Sequence, residues 1–166
     1  MNKWNYNEFG MHQQNDPKWA DDKMLPSQCT IGAKGCFISC LTYLRSRKEN
    51  FNHEIPEQVR IMSGYMGFTL SGDCIWSVVE KYMNLRIANS RSLVDILKNR
   101  LPYVMRNVWV RGSNNQMFSH WVVELKIGSV QLMYDPLRTG GNFVHSIDFF
   151  QPVFNANKQI NRRFVG

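Results

Sequence analysis

The pattern of apolar residues changes at Pro102, and this change strongly limits the folds that the chain can adopt. Before Pro102, apolar residues recur at helical spacing; after it, they alternate with polar residues or form short runs rich in aromatic and branched side chains. Helices in the first part of a chain and antiparallel strands in the second are typical of α+β proteins. We therefore predict an α+β domain in which N-terminal helices pack on a C-terminal antiparallel sheet.

Length and composition indicate one globular domain. The chain has 166 residues, of which 43% are hydrophobic and 20% are charged, and these values exclude a chain that is disordered throughout. No internal repeat, linker or low-complexity stretch divides it, so residues 1–166 are predicted to form a single domain. Residues 1–35 are rich in Asn, Gln, Gly, Pro and Asp, and we predict an irregular N-terminal arm there.

Four helices are predicted before Pro102. The first begins at Cys36, the second runs from Pro56 to about Gly64, the third is capped by Asp73, and the fourth begins at Ser92. The apolar positions that define the first and third helices are Phe37, Cys40, Leu41 and Leu44, and Ile75, Val78, Val79 and Tyr82.

Four strands are predicted after Pro102. They are Tyr103–Val110, His120–Ile127, Val130–Asp135 and Phe143–Phe149. The two-residue turn Gly128-Ser129 joins the second and third strands into a hairpin and fixes which of their residues face each other.

The register of this hairpin brings a histidine and an aspartate together. With a two-residue loop, Val122 faces Asp135, and His120 lies two residues before Val122 on the same strand face. His120 and Asp135 are then diagonal neighbours, close enough for a carboxylate to reach an imidazole. The alternate face, which begins at Trp121, is predicted to be the core face, and His120 and Asp135 point away from it together.

Cys36 adds a thiol to this pair. It follows Gly35 at the first turn of the strongest predicted helix, where the helix dipole favours a thiolate and backbone N–H groups can receive a developing oxyanion. A cysteine at a helix N-terminus, a histidine on a strand and an aspartate on the next strand are the components of a thiol hydrolase. A structural role stays open for each residue taken alone, because most cysteines on helices are small core residues.

Five short segments resemble the signature of one enzyme family. They are Gln14–Trp19, Thr30–Gly32, Gly35-Cys36, His120–Val123 and Tyr134–Pro136. In this order they resemble the papain-like cysteine peptidases related to the peptidases that process the double-glycine leaders of bacteriocins. The resemblance covers roughly residues 12–137 and implies a papain-like fold.

The resemblance also implies a role for each candidate residue. Cys36 would be the nucleophile, His120 the base, Asp135 the group that orients the base, and Gln14 a donor to the oxyanion; Gln13 is the alternative donor, one position away. The implied activity is a cysteine peptidase-like hydrolysis of a peptide or isopeptide bond through a thioester, with bacterial peptidoglycan as a candidate substrate. The alternative is a papain-fold module without catalysis, for example a structural or binding component of a phage particle.

The sequence also bears on an anionic polymer, nucleic acid and metal ions as partners or cofactors. The net charge of +7 favours an anionic polymer such as a cell wall. Nucleic acid is not predicted, because basic and aromatic residues such as Arg106, Trp109 and Arg111, or the segment Arg162–Phe164, are scattered. No metal and no other cofactor is predicted, since the conceivable zinc ligands contain no C-x-x-C pair; they are Cys29, Cys36, Cys40 and His53.

Three observations concern the location of the protein. The N-terminal sequence lacks the apolar core of a signal peptide, and no apolar run is long enough to span a bilayer. The four cysteines are few for a disulfide scaffold, so we expect reduced thiols. We therefore expect a protein that is cytoplasmic, or that is released or carried in a virion by a route without a signal sequence.

Overall fold

The computed structural model describes residues 13–49, 51–83, 85–88, 103–111, 114–127, 130–137 and 161–165. Three sequence expectations lie outside these residues: the helix that begins at Ser92, the strand Phe143–Phe149 and the turn Gly128-Ser129. Within the described residues, helices come first and an antiparallel sheet follows, so the α+β class is confirmed.

Four helices precede the five strands along the described part of the chain. The helices are α1 (Ile31–Lys34), α2 (Cys36–Glu49), α3 (Ile55–Gly64) and α4 (Trp76–Tyr82). The strands are β1 (Arg86–Ala88), β2 (Tyr103–Arg111), β3 (Met117–Ile127), β4 (Val130–Tyr134) and β5 (Asn161–Val165). No helix of the described segments is both long and apolar enough to cross a bilayer.

The N-terminal arm is more regular than the sequence predicts. Residues 1–35 were expected to be irregular, but Ile31–Lys34 form α1, and the Thr30 hydroxyl caps this helix by accepting the N–H of Ala33 at 3.3 Å. A helix of four residues gives too short a pattern to be recognised from its apolar spacing.

The predicted cap of the third helix is wrong. α4 begins at Trp76 and its N-cap is Ile75, whereas Asp73 lies in the preceding loop. There its carboxylate accepts a hydrogen bond from the Ser71 hydroxyl at 2.7 Å, and its N–H donates to the Thr69 hydroxyl at 3.0 Å. Aspartate is favoured in such turns as much as at helix caps, and here Asp73 forms hydrogen bonds within the turn instead of capping α4.

α2 is buried on almost every side, which goes beyond the predicted apolar stripe. Its polar residues Ser39, Thr42 and Ser46 are buried, and each hydroxyl donates to the carbonyl four residues earlier at 2.6 to 2.8 Å. These bonds satisfy hydroxyl groups that are shielded from water. α2 can therefore run through the core while its N-terminus carries Cys36.

The five strands form one antiparallel sheet in the order β1-β5-β2-β3-β4. β3 pairs with β4 so that Ile127 faces Val130 and Val123 faces Tyr134, which is the register predicted from a two-residue turn. β5 lies between β1 and β2. The strand that comes last in the chain is thus an interior strand of the sheet and not an edge strand.

At residues 120–123 of β3 both faces of the strand carry buried side chains, where the sequence indicates a single core face. On one face Val123 joins the core with Tyr134, on whose ring Tyr43 of α2 stacks at a centroid distance of 4.4 Å. On the other face His120 and Val122 are 1% and 0% exposed. His120 is therefore enclosed by protein, although it points away from the main core.

Candidate active site

Cys36 stands where two helices meet. Gly35 ends α1 with its N–H bonded to the carbonyl of Ile31 at 2.7 Å, and its own carbonyl accepts the N–H of Ser39 in the first turn of α2 at 2.9 Å. A Cβ atom at residue 35 would clash with the carbonyl oxygen of Ile31. Glycine therefore allows α2 to follow α1 without a loop, and this joint fixes the half-buried Cys36 at the first position of α2.

β3 has an open edge close to His120. The ladder between β3 and β4 ends at the pair Val123–Tyr134, so the residues of β3 before Val123 have no partner on β4. α2 contacts β3 there: the thiol of Cys40, four residues after Cys36, donates to the carbonyl of Trp121 at 3.3 Å. The N-terminus of α2 is thereby held beside His120.

Asp135 directly follows β4 and binds His120. The Nε2 atom of His120 lies 2.8 Å from Oδ1 of Asp135, and this oxygen also accepts the N–H of Leu137 at 2.9 Å. The side chains of His120 and Asp135 are 1% and 0% exposed, so water does not compete for the bond. The contact predicted from the hairpin register is confirmed.

The Cys36 thiol lies close enough to His120 to affect the pKa of the imidazole. Since Nε2 is engaged by Asp135, Nδ1 is the ring nitrogen that remains for the sulfur. Burial lowers the pKa of His120, but the hydrogen bonds to Asp135 and Cys36 and the charges of both groups outweigh burial and raise the pKa to about 9. A histidine with this pKa keeps its proton at neutral pH, so His120 is charged beside Asp135 and Cys36.

Gln14 lies between the chain segments that carry Asp135 and Cys36. Its backbone N–H donates to the carbonyl of Pro136 at 2.9 Å, and its side-chain Nε2 donates to the carbonyl of Gly32 at 2.8 Å. Only 2% of the residue is exposed. An amide nitrogen carries two hydrogen atoms, so Nε2 can donate one further bond.

Gln13 occupies a different environment from Gln14. It is less buried, and its backbone carbonyl accepts the indole N–H of Trp19 at 2.7 Å. Burial at the junction between the two segments thus favours Gln14 over Gln13 for the role that the sequence resemblance implies.

The remaining cysteines differ from Cys36, although all four are free thiols. Burial, followed by the charges of Cys36 and Asp135, raises the pKa of the Cys40 thiol well above its usual value. Burial and the charges of Cys36 and Asp73 likewise raise the pKa of the Cys74 thiol strongly. Among the residues that the structure describes, no group of three or more His, Cys, Asp or Glu side chains is placed to bind a metal ion.

An aromatic cluster formed by chain neighbours of Cys36 and His120 was not identified from the sequence. It consists of Phe37, Trp76 and Trp121: the Phe37 ring meets both indoles edge-on, with centroids 5.2 Å from Trp76 and 5.0 Å from Trp121. The sequence patterns assign Phe37 and Trp121 to the core, but all three residues are only half-buried. The available signal is adjacency, because Phe37 follows Cys36 and Trp121 follows His120.

Comparison with known proteins adds no identity. No family model, no curated protein and no solved structure matches the chain.

Proposed function

We propose that this protein is a papain-like thiol hydrolase that cleaves a peptide or isopeptide bond through a thioester intermediate. The observation that carries the proposal is the imidazole of His120, which is hydrogen-bonded to the buried Asp135 carboxylate and lies close enough to the Cys36 thiol for both groups to raise its pKa. A cysteine at the start of a helix, a histidine between it and a carboxylate, and the burial of that carboxylate are what nucleophilic catalysis by a thiol needs.

The reaction begins with the thiolate of Cys36. It attacks the carbonyl carbon of the substrate, and a new S–C bond forms while the carbonyl electrons move to the oxygen. When this intermediate collapses, the C–N bond breaks and His120 delivers its proton to the departing amine. Water then attacks the thioester, His120 removes a proton from it, and the released thiolate returns to its starting state. Asp135 holds the ring in position and stabilises its charge throughout.

The oxyanion needs donors close to Cys36. The first N–H groups of an α-helix have no carbonyl partner within the helix, and α2 presents these groups at Cys36. Gln14 Nε2 is the second donor in this proposal, in agreement with its burial at the junction of the two segments.

The resemblance to papain-like cysteine peptidases supports the same assignment. The residues occur in the order Gln14, Cys36, His120 and Asp135 along the chain. A helix that bears the nucleophile and packs against an antiparallel sheet that bears the base is compatible with a papain-like fold.

Limited alkylation tests the proposal without a known substrate. We expect iodoacetamide at limiting concentration and neutral pH to modify Cys36 well before Cys29, Cys40 and Cys74, as measured by peptide mass spectrometry. Cys40 and Cys74 react slowly because their thiol pKa values are raised, and Cys29 has no histidine partner in the part of the chain described. Equal labelling of all four cysteines, or labelling of Cys74 first, would contradict the proposal in favour of a binding module without catalysis.

The His120→Ala variant is the matched control for this experiment. It keeps all four cysteines but removes the imidazole, so the advantage of Cys36 should disappear. A Cys36 that still reacts first in His120→Ala would show that exposure alone accounts for the labelling.

A second candidate is a peptidoglycan endopeptidase or amidase with the same catalytic residues. The observation that favours it is the net charge of +7, which suits an anionic cell wall. Loss of turbidity of a cell-wall suspension with the protein, and its absence with Cys36→Ala, would support this narrower activity.

A further inference from the structure

We propose that a groove between the N-terminal arm and α3 binds a short peptide segment in which a carboxylate lies two residues from an apolar side chain. The groove has a volume of about 590 Å³, which is in the range of ligand pockets. Three residues of the arm and five residues of α3 line it, and none of them is a candidate catalytic residue. The inference therefore goes beyond the proposed hydrolysis and does not depend on it.

The shape of the groove follows from the spacing of its lining residues. On α3 these residues are one, three or four positions apart, from Pro56 to Gly64, so they form one face of the helix over about 12 Å. The other wall is the segment 22–25, which pairs through Lys23 with Thr30, just before α1. An extended chain advances about 3.3 Å per residue, so three or four residues of a peptide match this length.

Lys23 offers free backbone groups to such a peptide. The N–H of Met24 donates to the carbonyl of Cys29 at 3.0 Å, and the N–H of Ile31 donates to that of Asp22 at 2.9 Å. These bonds leave the N–H and C=O of Lys23 pointing away from the paired segment, and neither group makes a hydrogen bond with the described residues. A peptide can add to such an edge through main-chain hydrogen bonds, whereas a lipid cannot.

The charges of the lining favour a carboxylate. The lining contains two cations, Lys23 and Arg60, and one anion, Asp22. The exposed Arg60 guanidinium has no ion pair and no hydrogen bond in the part of the chain that the structure describes, and the Lys23 ammonium donates to the neutral side chain of Gln28 at 2.6 Å. A guanidinium without a partner can bind a carboxylate through two parallel hydrogen bonds.

The apolar part of the lining is incompletely covered. Leu25 is 50% exposed, whereas Val59, which lines the same groove, is 4% exposed. An apolar side chain of a ligand would remove the exposed surface of Leu25 from water. Side chains two residues apart lie on the same face of an extended peptide, so an acidic and an apolar side chain with this spacing can both enter the groove.

One hydroxyl group of the lining lacks a partner. The Ser63 hydroxyl is shielded from water and forms no hydrogen bond with the described residues. The buried hydroxyls of α2 are all bonded, as for Ser39 and Thr42. A buried hydroxyl without a partner is unfavourable, and a polar backbone group of a bound peptide that reaches Ser63 would supply the missing bond.

Selection from a library of random seven-residue peptides tests the inference. The bait is the full chain with Cys36→Ala, which lacks the proposed nucleophile and so leaves the peptides uncut. Peptides that bind it are then passed over the same chain with Gly64→Leu added. A Cβ atom at Gly64 meets no atom within 4 Å, so the leucine side chain enters the groove without a clash, and leucine also favours the helix.

The sequences of the selected peptides decide the outcome. Among peptides that Gly64→Leu no longer binds, we expect Glu or Asp two residues from Leu, Ile, Met or Phe to be enriched roughly tenfold or more. Enrichment of basic peptides, or no peptide that distinguishes the two baits, overturns the inference.

Affinities of variants assign the binding to the groove. With the best selected peptide carrying a fluorescent label, Arg60→Gln and Gly64→Leu should each raise Kd roughly tenfold or more in fluorescence polarisation. Lys81→Gln is the matched control, because it removes an exposed cation of α4 outside the groove and should leave Kd within about twofold. Equal weakening by Lys81→Gln and Arg60→Gln, or an unchanged Kd in a folded Gly64→Leu, overturns the assignment.

Decanoate separates a peptide from a lipid as the occupant. It carries a carboxylate and an apolar chain but no backbone groups that could pair with Lys23. We expect decanoate to displace the labelled peptide more weakly than the same peptide without its label does. Stronger displacement by decanoate would assign the groove to a lipid and overturn the peptide inference.

Discussion

His120 is hydrogen-bonded to a buried carboxylate and lies near a thiol, and both groups affect how its charge responds to pH. The hydrogen bonds to Asp135 and Cys36 overcome the effect of burial and raise the pKa of His120 from 6.5 to about 9. Because the folded state binds this proton more tightly than the unfolded chain, His120 stabilises the fold fully below about pH 6.5, and this contribution is lost as the pH rises through about 9.

Urea unfolding at two pH values measures this effect. We expect the free energy of unfolding to be lower at about pH 9.5 than at about pH 6, and Asp135→Asn to reduce the difference because it removes one cause of the raised pKa of His120. Asp21→Asn, which changes an exposed carboxylate, is the control and should behave like the wild type. Equal pH dependence in Asp135→Asn and the wild type would contradict the assignment.

Kinetics of single variants test whether three residues act together. We expect Cys36→Ala and His120→Ala each to abolish nearly all turnover and the double variant to be little worse, since groups that act as one unit are not additive. Asp135→Ala should be milder, because an imidazole without its carboxylate still visits the productive orientation. Full activity of Cys36→Ala on a substrate that the wild-type protein cleaves would contradict the hydrolase interpretation.

The oxyanion donor is tested by a pair of neighbouring glutamines. Gln14→Ala should lower kcat roughly a hundredfold or more, corresponding to about 2.7–4 kcal/mol, because it removes one hydrogen bond to the developing charge. Gln13→Ala should have little effect, since Gln13 is less buried than Gln14 and the bonds to Pro136 and Gly32 are made by Gln14. A similar loss in both variants, measured on chains with unchanged thermal stability, would contradict the choice of Gln14.

The joint between α1 and α2 is the element-scale feature that positions the nucleophile. A side chain at residue 35 meets the backbone of Ile31, whereas a side chain at Gly64, the last residue of α3, meets nothing within 4 Å. The two glycines therefore form a matched pair, one required by packing and the other replaceable.

We expect Gly35→Ala to destabilise the fold by about 1–3 kcal/mol and to slow alkylation of Cys36, because the helices must separate to relieve the clash. Gly64→Ala should be neutral or stabilising by up to about 1 kcal/mol. Thermal unfolding and the alkylation rate measure both. A Gly35→Ala variant as stable as Gly64→Ala would show that the joint between α1 and α2 tolerates a side chain at residue 35.

Local elements could be predicted from the sequence where local chemistry decides them. The start of α2 at Cys36, the bounds of α3 and the register of β3 and β4 follow from apolar spacing, a proline near a helix start and a two-residue turn. The contact of His120 with Asp135 was predictable for the same reason, because only 15 positions separate them within one hairpin. Asp73 was misassigned because turns and helix caps compete for the same side chain.

At the scale of the whole molecule, the site depends on contacts that no local pattern encodes. Cys36 meets His120 because β4 ends at Tyr134 and α2 fills the open edge of β3. Neither event is visible in apolar spacing, so the sequence suggested this contact only through the residue types, the place of Cys36 at a helix start and the family resemblance, and not through a predicted geometry. The position of β5 between β1 and β2 was missed for the same reason, since strand order is a non-local property.

The division of the site between helices and sheet has a consequence for experiments on fragments. Cys36 and Gln14 precede β1, whereas His120 and Asp135 follow the start of β2, and pairing of β1 with β5 connects the two parts. We expect polypeptides 1–95 and 96–166, expressed separately, to show no fast alkylation of Cys36. Mixing them should restore it at a rate that depends on their concentrations; fast alkylation in 1–95 alone would contradict this. The amount of alkylated Cys36 would then measure how many pairs of fragments have reassembled.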